Sequence, residues 1–460
     1  MLQQRLNEGL TADAGVRESY ASDASGLHLL PEYVARPGSA DEVLEIVRRA
    51  VRDRVAITAA GAQTSTTGAS ITDNGILLSL RAIASISEVD EEKKTITAGP
   101  GAFVGDIKRA AASRGLLFAP DPTSEEESTI GGAIACNASG ARTFKYGATR
   151  EHVRALRVVL ASGEIAQFHR SDLEKNTVGY SFAHDPIDWF IGSEGTLGII
   201  VEAELALVPL PERVMGLAIL FGSEDEALRF VVLARESRAV APRCIEYFDA
   251  RAVDIARSVG TAIHLPDECG GMVYVEEELP ETAEEELGAW LDLTETFALR
   301  GDPLVFMGEA QLREARRIRH SVPSTMNERG NRFRPNGGRK VSTDWAVPYR
   351  QLPDTIRLAR GLAQSRGVDQ AVIYGHAGNG HPHQNFIARD EKELTTIEGV
   401  VAETLSHVVA MGGTVAAEHG IGKIKRRWLP LQMTPLQITI MSAVKRELDP
   451  LGIFAPGNIL

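Results

Sequence analysis

Three of the chain's 11 histidines fall in one short segment, GHAGNGHPH, at His376, His381 and His383. An apolar run from Ala371 to Tyr374 precedes it, and Gln384 to Ala388 reads as a strand after it. A turn between two strands can aim His376 and His383 into one cleft, and imidazole is a common ligand for zinc and other divalent transition metals. The spacing of seven is not the helical HExxH pattern, so a zinc protease is poorly supported. A lone histidine is more often hydrogen-bonded to a carbonyl, but three this close favour a metal centre. Upstream, Arg313, Arg316, Arg317 and Arg319 crowd one segment of expected helix. Most must be solvated, yet a guanidinium fork can hold a carboxylate bidentately.

Anion chemistry has its own candidates. Ala59 to Ser70, Thr129 to Gly140 and Gly192 to Gly198 are rich in Gly, Ser, Thr and Ala. Consecutive small residues let backbone N–H groups approach an anion, and hydroxyls add donors. None is a Walker loop or a GxGxxG turn. Any one alone reads as a tight loop; three together favour a cradle for a diphosphate.

Alternating strands and helices must position these segments. Ser39-Ala40-Asp41-Glu42 opens a run to Arg54 with a capping box, and Val43, Ile46, Val47 and Ala50 fall on one face. A strand is expected from Val55 to Ala60, a helix from Phe103 to Arg114 stopped by Gly115, and strands at Val153 to Leu160 and Thr196 to Leu207. Beyond Pro209 and Pro211 the pattern changes. Strand-like runs at Val214 to Phe221, Cys244 to Phe248 and Met272 to Glu276 alternate with acidic helices, notably Glu281 to Leu293. A second domain is expected over 211–415, followed by a segment, 416–460, with a helix at Pro435 to Leu448 that returns to the first domain.

Composition sets limits. The chain has 460 residues and a formal charge of −13, which disfavours nucleic acid and anionic lipid as general ligands. Cys136, Cys244 and Cys269 form no close pair, so neither a disulfide framework nor a CxxC cluster site is expected, and a reducing compartment is. The first residues lack a signal-peptide pattern, and no apolar run approaches the ~20 residues of a membrane span. The expected location is cytoplasmic, with peripheral membrane association compatible. Lys423 to Arg427, KIKRR, reads as a solvated helix start, the alternative being a docking patch for an electron acceptor.

The segments AAGAQTS, PDPTSEEESTIGGAIACNASGARTFKYG, GSEGTLGII, GHAGNGHPH, AAEHGIGK and DPLGIFAPGNIL occur in this order. Together they resemble the FAD-linked 2-hydroxyacid dehydrogenases of the vanillyl-alcohol oxidase fold superfamily, a group with D-lactate dehydrogenase, the glycolate oxidase flavin subunit and D-2-hydroxyglutarate dehydrogenase. The resemblance implies an α+β fold: a two-subdomain FAD-binding domain of the PCMH type over 31–210 and an α+β ferredoxin-like substrate domain, with residues 1–30 packing as an extension on the flavin domain. It implies that Ala60, Gly61, Ala62, Gln63, Thr64 and Ser65 hold the FAD pyrophosphate. Pro120, Thr123, Gly131, Gly132, Asn137 and Gly140 would line the other side, with Gly195 and Ile200 near the adenine and Asn458 near the flavin ring. Relatives that attach FAD covalently through the first loop use a histidine there; Gln63 in that loop implies non-covalent FAD.

By the same resemblance, His376, His383 and Glu418 are metal ligands, with zinc expected and manganese or iron compatible, and His419 is the catalytic base. Asn379 stands where the family usually has Asp, and His381 where it has Asn. Arg319, in RHSVP, and Lys340, in RKVSTDWAVP, match the residues that hold the substrate carboxylate. The implied reaction is oxidation of a D-2-hydroxyacid to the 2-oxoacid, with hydride transfer to flavin N5. Electrons would leave for a separate acceptor: an electron-transfer flavoprotein, a quinone, a cytochrome or an iron–sulfur subunit. A homodimer is compatible. The alternatives are a same-fold flavin oxidase of another alcohol and a non-catalytic flavin subunit of a larger complex.

Overall fold

A computed structural model describes residues 9–258, 265–279, 284–368 and 370–460. The chain forms two compact units: Met1–Ser139, Gly147–Leu210 and Glu418–Leu460 make the first, and Gly140–Tyr146 with Pro211–Ala417 the second. Among the described residues no helix is long and apolar enough to cross a membrane.

The first unit holds two four-stranded sheets. In one, Tyr33–Ala35 and Ile57–Ala60 flank Ile76–Ser79 in parallel, and Leu10–Thr11 adds an antiparallel edge. In the other, Thr95–Ala98, Ile199–Ala206, Val153–Val159 and Ile165–His169 are antiparallel. The Ala40–Asp53 helix buries Val43, Val47 and Ala50. These join Ile57, Ile76 and Val159 in a core completed by Phe454 of the C-terminal tail. That tail is tied down by backbone: Ile57 N donates to Ile453 O and Ala455 N to Ile57 O, both at 2.7 Å. The helix opens on Ser39, whose hydroxyl accepts from Glu42 N, but the Glu42 carboxylate accepts from Gly38 N instead of closing the expected capping box. Of the N-terminal extension, residues 1–8 lie outside the described residues.

The second unit is built on a seven-stranded sheet whose pairs are all antiparallel. Its order is Leu304–Met307, Val214–Phe221, Gly271–Glu278, Pro242–Asp249, Val372–His376, His381–Asp390, Gly337–Ser342. On one face the Gly308–Asn331 helix buries Leu312, Ala315, Ile318 and Val322 against Phe248, Met272 and Tyr274. Strand side chains alternate between faces, so Phe221 points the other way. There it meets Phe230 of the Glu224–Glu236 helix at 5.2 Å between ring centroids. The acidic helix expected from Glu281 runs Glu284–Thr294; residues 281–283 lie outside the described residues.

Candidate functional site

In the first unit the three small-residue loops converge. A Cβ placed on Gly61 would sit 2.1 Å from the Thr129 hydroxyl, one on Gly195 would touch Ala59 Cβ, and one on Gly192 would touch Asn137 Cβ. Backbone bonds hold the approach: Gly192 N donates to Ile134 O at 3.0 Å and Glu194 N to Ala135 O at 2.8 Å. Gln63 has φ +58, and its amide donates to Tyr20 O (2.9 Å) and Ser70 O (3.3 Å), which pins the loop open. Among the described residues no backbone N–H of residues 62–66 donates a hydrogen bond, and the buried Thr129 hydroxyl has no partner. Half-buried amides and an orphaned hydroxyl around one turn are what an oxygen-rich anion would satisfy, so these residues fit the FAD pyrophosphate.

The other residues expected to contact the cofactor differ in their settings. Ile200 packs its side chain into the apolar core with Ile96 and Phe190, which leaves its backbone as the part that could face a ligand. Thr123 is exposed, Pro120 is buried, and Gly131 abuts Pro100, where a Cβ would clash at 2.6 Å. Gly140 belongs to the second unit. Asn458, 2% exposed, is central: its Nδ2 donates to Ala69 O (2.9 Å) and Glu194 O (3.3 Å), tying two loops to the tail.

Glu194 was not singled out by the sequence. Burial raises its pKa, opposed by hydrogen bonds from Ile421 N and Gly422 N at 2.6 and 2.8 Å. Glu418 and His419 open the last segment of this unit. Glu418 accepts from the Ser139 hydroxyl at 3.1 Å, and the His419 carbonyl accepts from the Thr67 hydroxyl at 3.4 Å.

In the second unit the strands Val372–His376 and His381–Asp390 form a hairpin with His376 opposite His381 and Tyr374 opposite His383. Directly opposed residues share a face, as do residues two apart. All three imidazoles therefore project from one face, with ring centroids 4.5 to 5.5 Å apart and a nitrogen of each within 4.8 Å of the others. Ligand nitrogens bound at about 2.1 Å from one ion lie within about 4.2 Å of each other, so this set would have to draw slightly closer to surround one. His381, read from the sequence as a departure, is thus part of the cluster.

One carboxylate is hydrogen-bonded to a ring and a second lies beside another. Glu246 Oε1 lies 2.7 Å from His376 Nδ1, and Asp344 Oδ1 lies 3.1 Å from His381 Nε2. A carboxylate on Nδ1 fixes that nitrogen as donor and leaves Nε2 as the ligand atom. Neither acid was assigned from the sequence; the signal for Glu246 was a lone charge inside the apolar run Cys244 to Phe248. Asn385 follows His383 on the same face, fully buried, and its Oδ1 has no partner among the described residues.

Of the crowded arginines, Arg313 and Arg317 are exposed and pair with Glu309 and Glu314 on their own helix. Arg319 turns to the sheet: its Nε donates to Glu246 Oε2 at 2.6 Å and its Nη2 lies 3.3 Å from His376 Nδ1. Burial raises the Glu246 pKa, but His376 and Arg319 outweigh it and hold the carboxyl at about 2. Lys340, opposite Ile387, shares this face. Its amine donates to Asn327 at 2.8 Å, and burial pushes its pKa down to about 8. Asn327 lies eight residues beyond Arg319, roughly 12 Å along a helix, so the two cations do not form one fork.

The FAD binding domain family matches residues 31–169, and the C-terminal domain family of FAD linked oxidases matches residues 210–459. The chain is 31% identical over 447 residues to glycolate oxidase subunit GlcD of Bacillus subtilis (strain 168), covering 96% of this chain and 91% of that one. It is 28% identical over 458 residues to D-lactate dehydrogenase of Anaerostipes hadrus, covering 96% and 93%. It is 29% identical over 442 residues to D-2-hydroxyglutarate dehydrogenase of Stutzerimonas stutzeri (strain A1501), covering 93% and 91%. A solved structure of alkyldihydroxyacetonephosphate synthase superposes with a TM-score of 0.73 at 18% identity, covering 98% of this chain and 84% of that one, which establishes the PCMH-type fold. The chain belongs to the FAD-linked oxidase family, as an FAD-binding oxidoreductase of the 2-hydroxyacid dehydrogenase group.

Proposed function

We propose that the protein oxidises a D-2-hydroxyacid of the lactate, glycolate or 2-hydroxyglutarate type to the 2-oxoacid and passes the electrons to a separate acceptor. The observation that carries this reading is the three-imidazole cluster beside Arg319, with carboxylates behind two of the rings. FAD, when bound, supplies the hydride acceptor at flavin N5. A divalent metal, zinc by preference for nitrogen ligands, supplies polarisation of the substrate hydroxyl.

The chain's own residues do the rest. His376, His381 and His383 would hold the ion, and the AAEHGIGK motif proposes Glu418 as a further, anionic ligand. Arg319 has five N–H donors; one serves Glu246, and the guanidinium stays cationic to attract the substrate carboxylate. Lys340 adds positive charge along the same face. The unpartnered Asn385 Oδ1 is an acceptor for the substrate hydroxyl, while the amide's nitrogen donates to His383 O. His419 takes the hydroxyl proton, a role that suits imidazole near neutral pH.

The reading is tested by anaerobic flavin bleaching with a panel of D- and L-2-hydroxyacids, with and without added zinc or manganese. Bleaching by a D acid, lost on chelation and restored by metal, is expected; bleaching by none would favour the non-catalytic flavin subunit. The cofactor itself is expected to dissociate. Because Gln63 offers a hydrogen-bonding amide and no nucleophile, acid precipitation should leave a colourless pellet and a yellow supernatant. A pellet that stays yellow would overturn non-covalent binding.

A further inference from the structure

Lys423 was read from the sequence as the first member of a solvated basic run, and it is not one. Its amine donates to Gly68 O at 3.2 Å and to Asn458 Oδ1 at 2.7 Å, and its backbone N donates to Thr67 O at 2.9 Å. Only Arg426 and Arg427 of that run are exposed. Through Asn458, which also bonds Ala69 O and Glu194 O, the lysine joins the 59–70 loop, the 192–198 loop and the C-terminal tail at one point. Both acceptors of the amine are neutral oxygens. The carboxylates of Glu194, Asp23 and Asp73 act on the ammonium without bonding it and offset its burial only in part, so a further anion close by would be favoured. The adjoining turn, residues 62–66, offers its backbone N–H groups to an anion as well.

We propose that Lys423 is a positioning residue for FAD: its ammonium latches the C-terminal tail onto the 59–70 loop through Asn458 and supplies the positive charge at the edge of the cradle that favours the dinucleotide's anionic groups. The flanking geometry supports the latch. Gly422 has φ +50, and a Cβ there would meet Thr67 O at 2.4 Å, so the GIGK backbone is pressed against the same loop. Burial pushes the Lys423 amine down to about 8, and the carboxylates of Glu194, Asp23 and Asp73 pull it the other way. The amine is cationic below that value and neutral above it. FAD affinity is therefore full at pH 7 and falls as pH rises through about 8, because the unliganded protein then loses the charge.

The test is FAD release from the purified holoprotein, followed by the rise in free-flavin fluorescence on dilution at pH 7 and pH 9.5. Wild type should bind about tenfold more weakly at the higher pH, the size of one charge-assisted hydrogen bond. Lys423→Met should match that weaker affinity at both pH values, and Lys423→Arg, which stays charged, should keep the pH 7 affinity throughout. Should Lys423→Met not fold, the wild-type profile and the arginine variant decide alone. Equal retention by wild type at the two pH values, or a pH loss in Lys423→Arg as large as in wild type, would overturn the proposal.

Discussion

His419→Ala is expected to retain FAD and to lower the rate of flavin reduction by substrate by about 10² to 10⁴, the usual weight of a positioned general base. Retention follows from what holds this segment in the first unit. The His419 carbonyl accepts from Thr67, Ile421 and Gly422 donate backbone N–H groups to Glu194, and none of these contacts uses the imidazole. Gly420, at φ +72, lets the chain turn directly after the histidine, and a Cβ there would sit 2.2 Å from Glu194 Oε1. The backbone is thus locked to the cofactor loops while the side chain remains about one-third exposed, able to meet a solvent-borne substrate. Stopped-flow reduction at several pH values checks the role. In wild type the rate should rise as the base loses its proton, and His419→Ala should be slow with that dependence removed. An unchanged rate would refute His419 as the base; loss of FAD together with rate would make it a structural residue.

The contrast between local and long-range information explains what the sequence could disclose. The histidine cluster was legible because its geometry is that of a single hairpin: once Val372–His376 and His381–Asp390 are strands, period-two alternation puts His376, His381 and His383 on one face. The cradle was legible for a similar reason, since small residues mark where backbone must approach something closely. Glu246 was not, because its meaning comes from His376 and Arg319, which reach it from other elements far along the chain. Lys423 was misread because a basic run averages over residues whose environments differ: Arg426 is exposed while Lys423 is held by the tail. Ile200 is the converse case: the strand pattern commits its side chain to the core, so a part in holding the cofactor would fall to its backbone.

Arg319→Met is expected to raise KM for the hydroxyacid by at least about 10²-fold and to destabilise the second unit by roughly 3 kcal/mol, as breaking one side of a buried ion pair does. The two effects have one origin. Glu246 is 1% exposed, and its carboxyl is kept ionised by His376 and Arg319. Without the guanidinium, His376 still lies 2.7 Å from the buried carboxylate, which then favours an imidazolium there. A protonated ring binds metal poorly, so zinc affinity should fall as well, most strongly toward acid pH. FAD content should not change, because the cradle is built from the other unit. Adding Glu246→Gln separates the roles: removing the orphaned charge should recover most of the lost stability, measured by denaturant unfolding, while KM stays high because the substrate carboxylate still lacks its cation. Arg319→Lys should recover part of the stability and little of the affinity, since an ammonium cannot serve Glu246 and a substrate in the planar arrangement of a guanidinium. If the double variant regained wild-type KM along with stability, Arg319 would be a structural counter-ion for Glu246, and recognition of the hydroxyacid carboxylate would have to be assigned elsewhere on the histidine face.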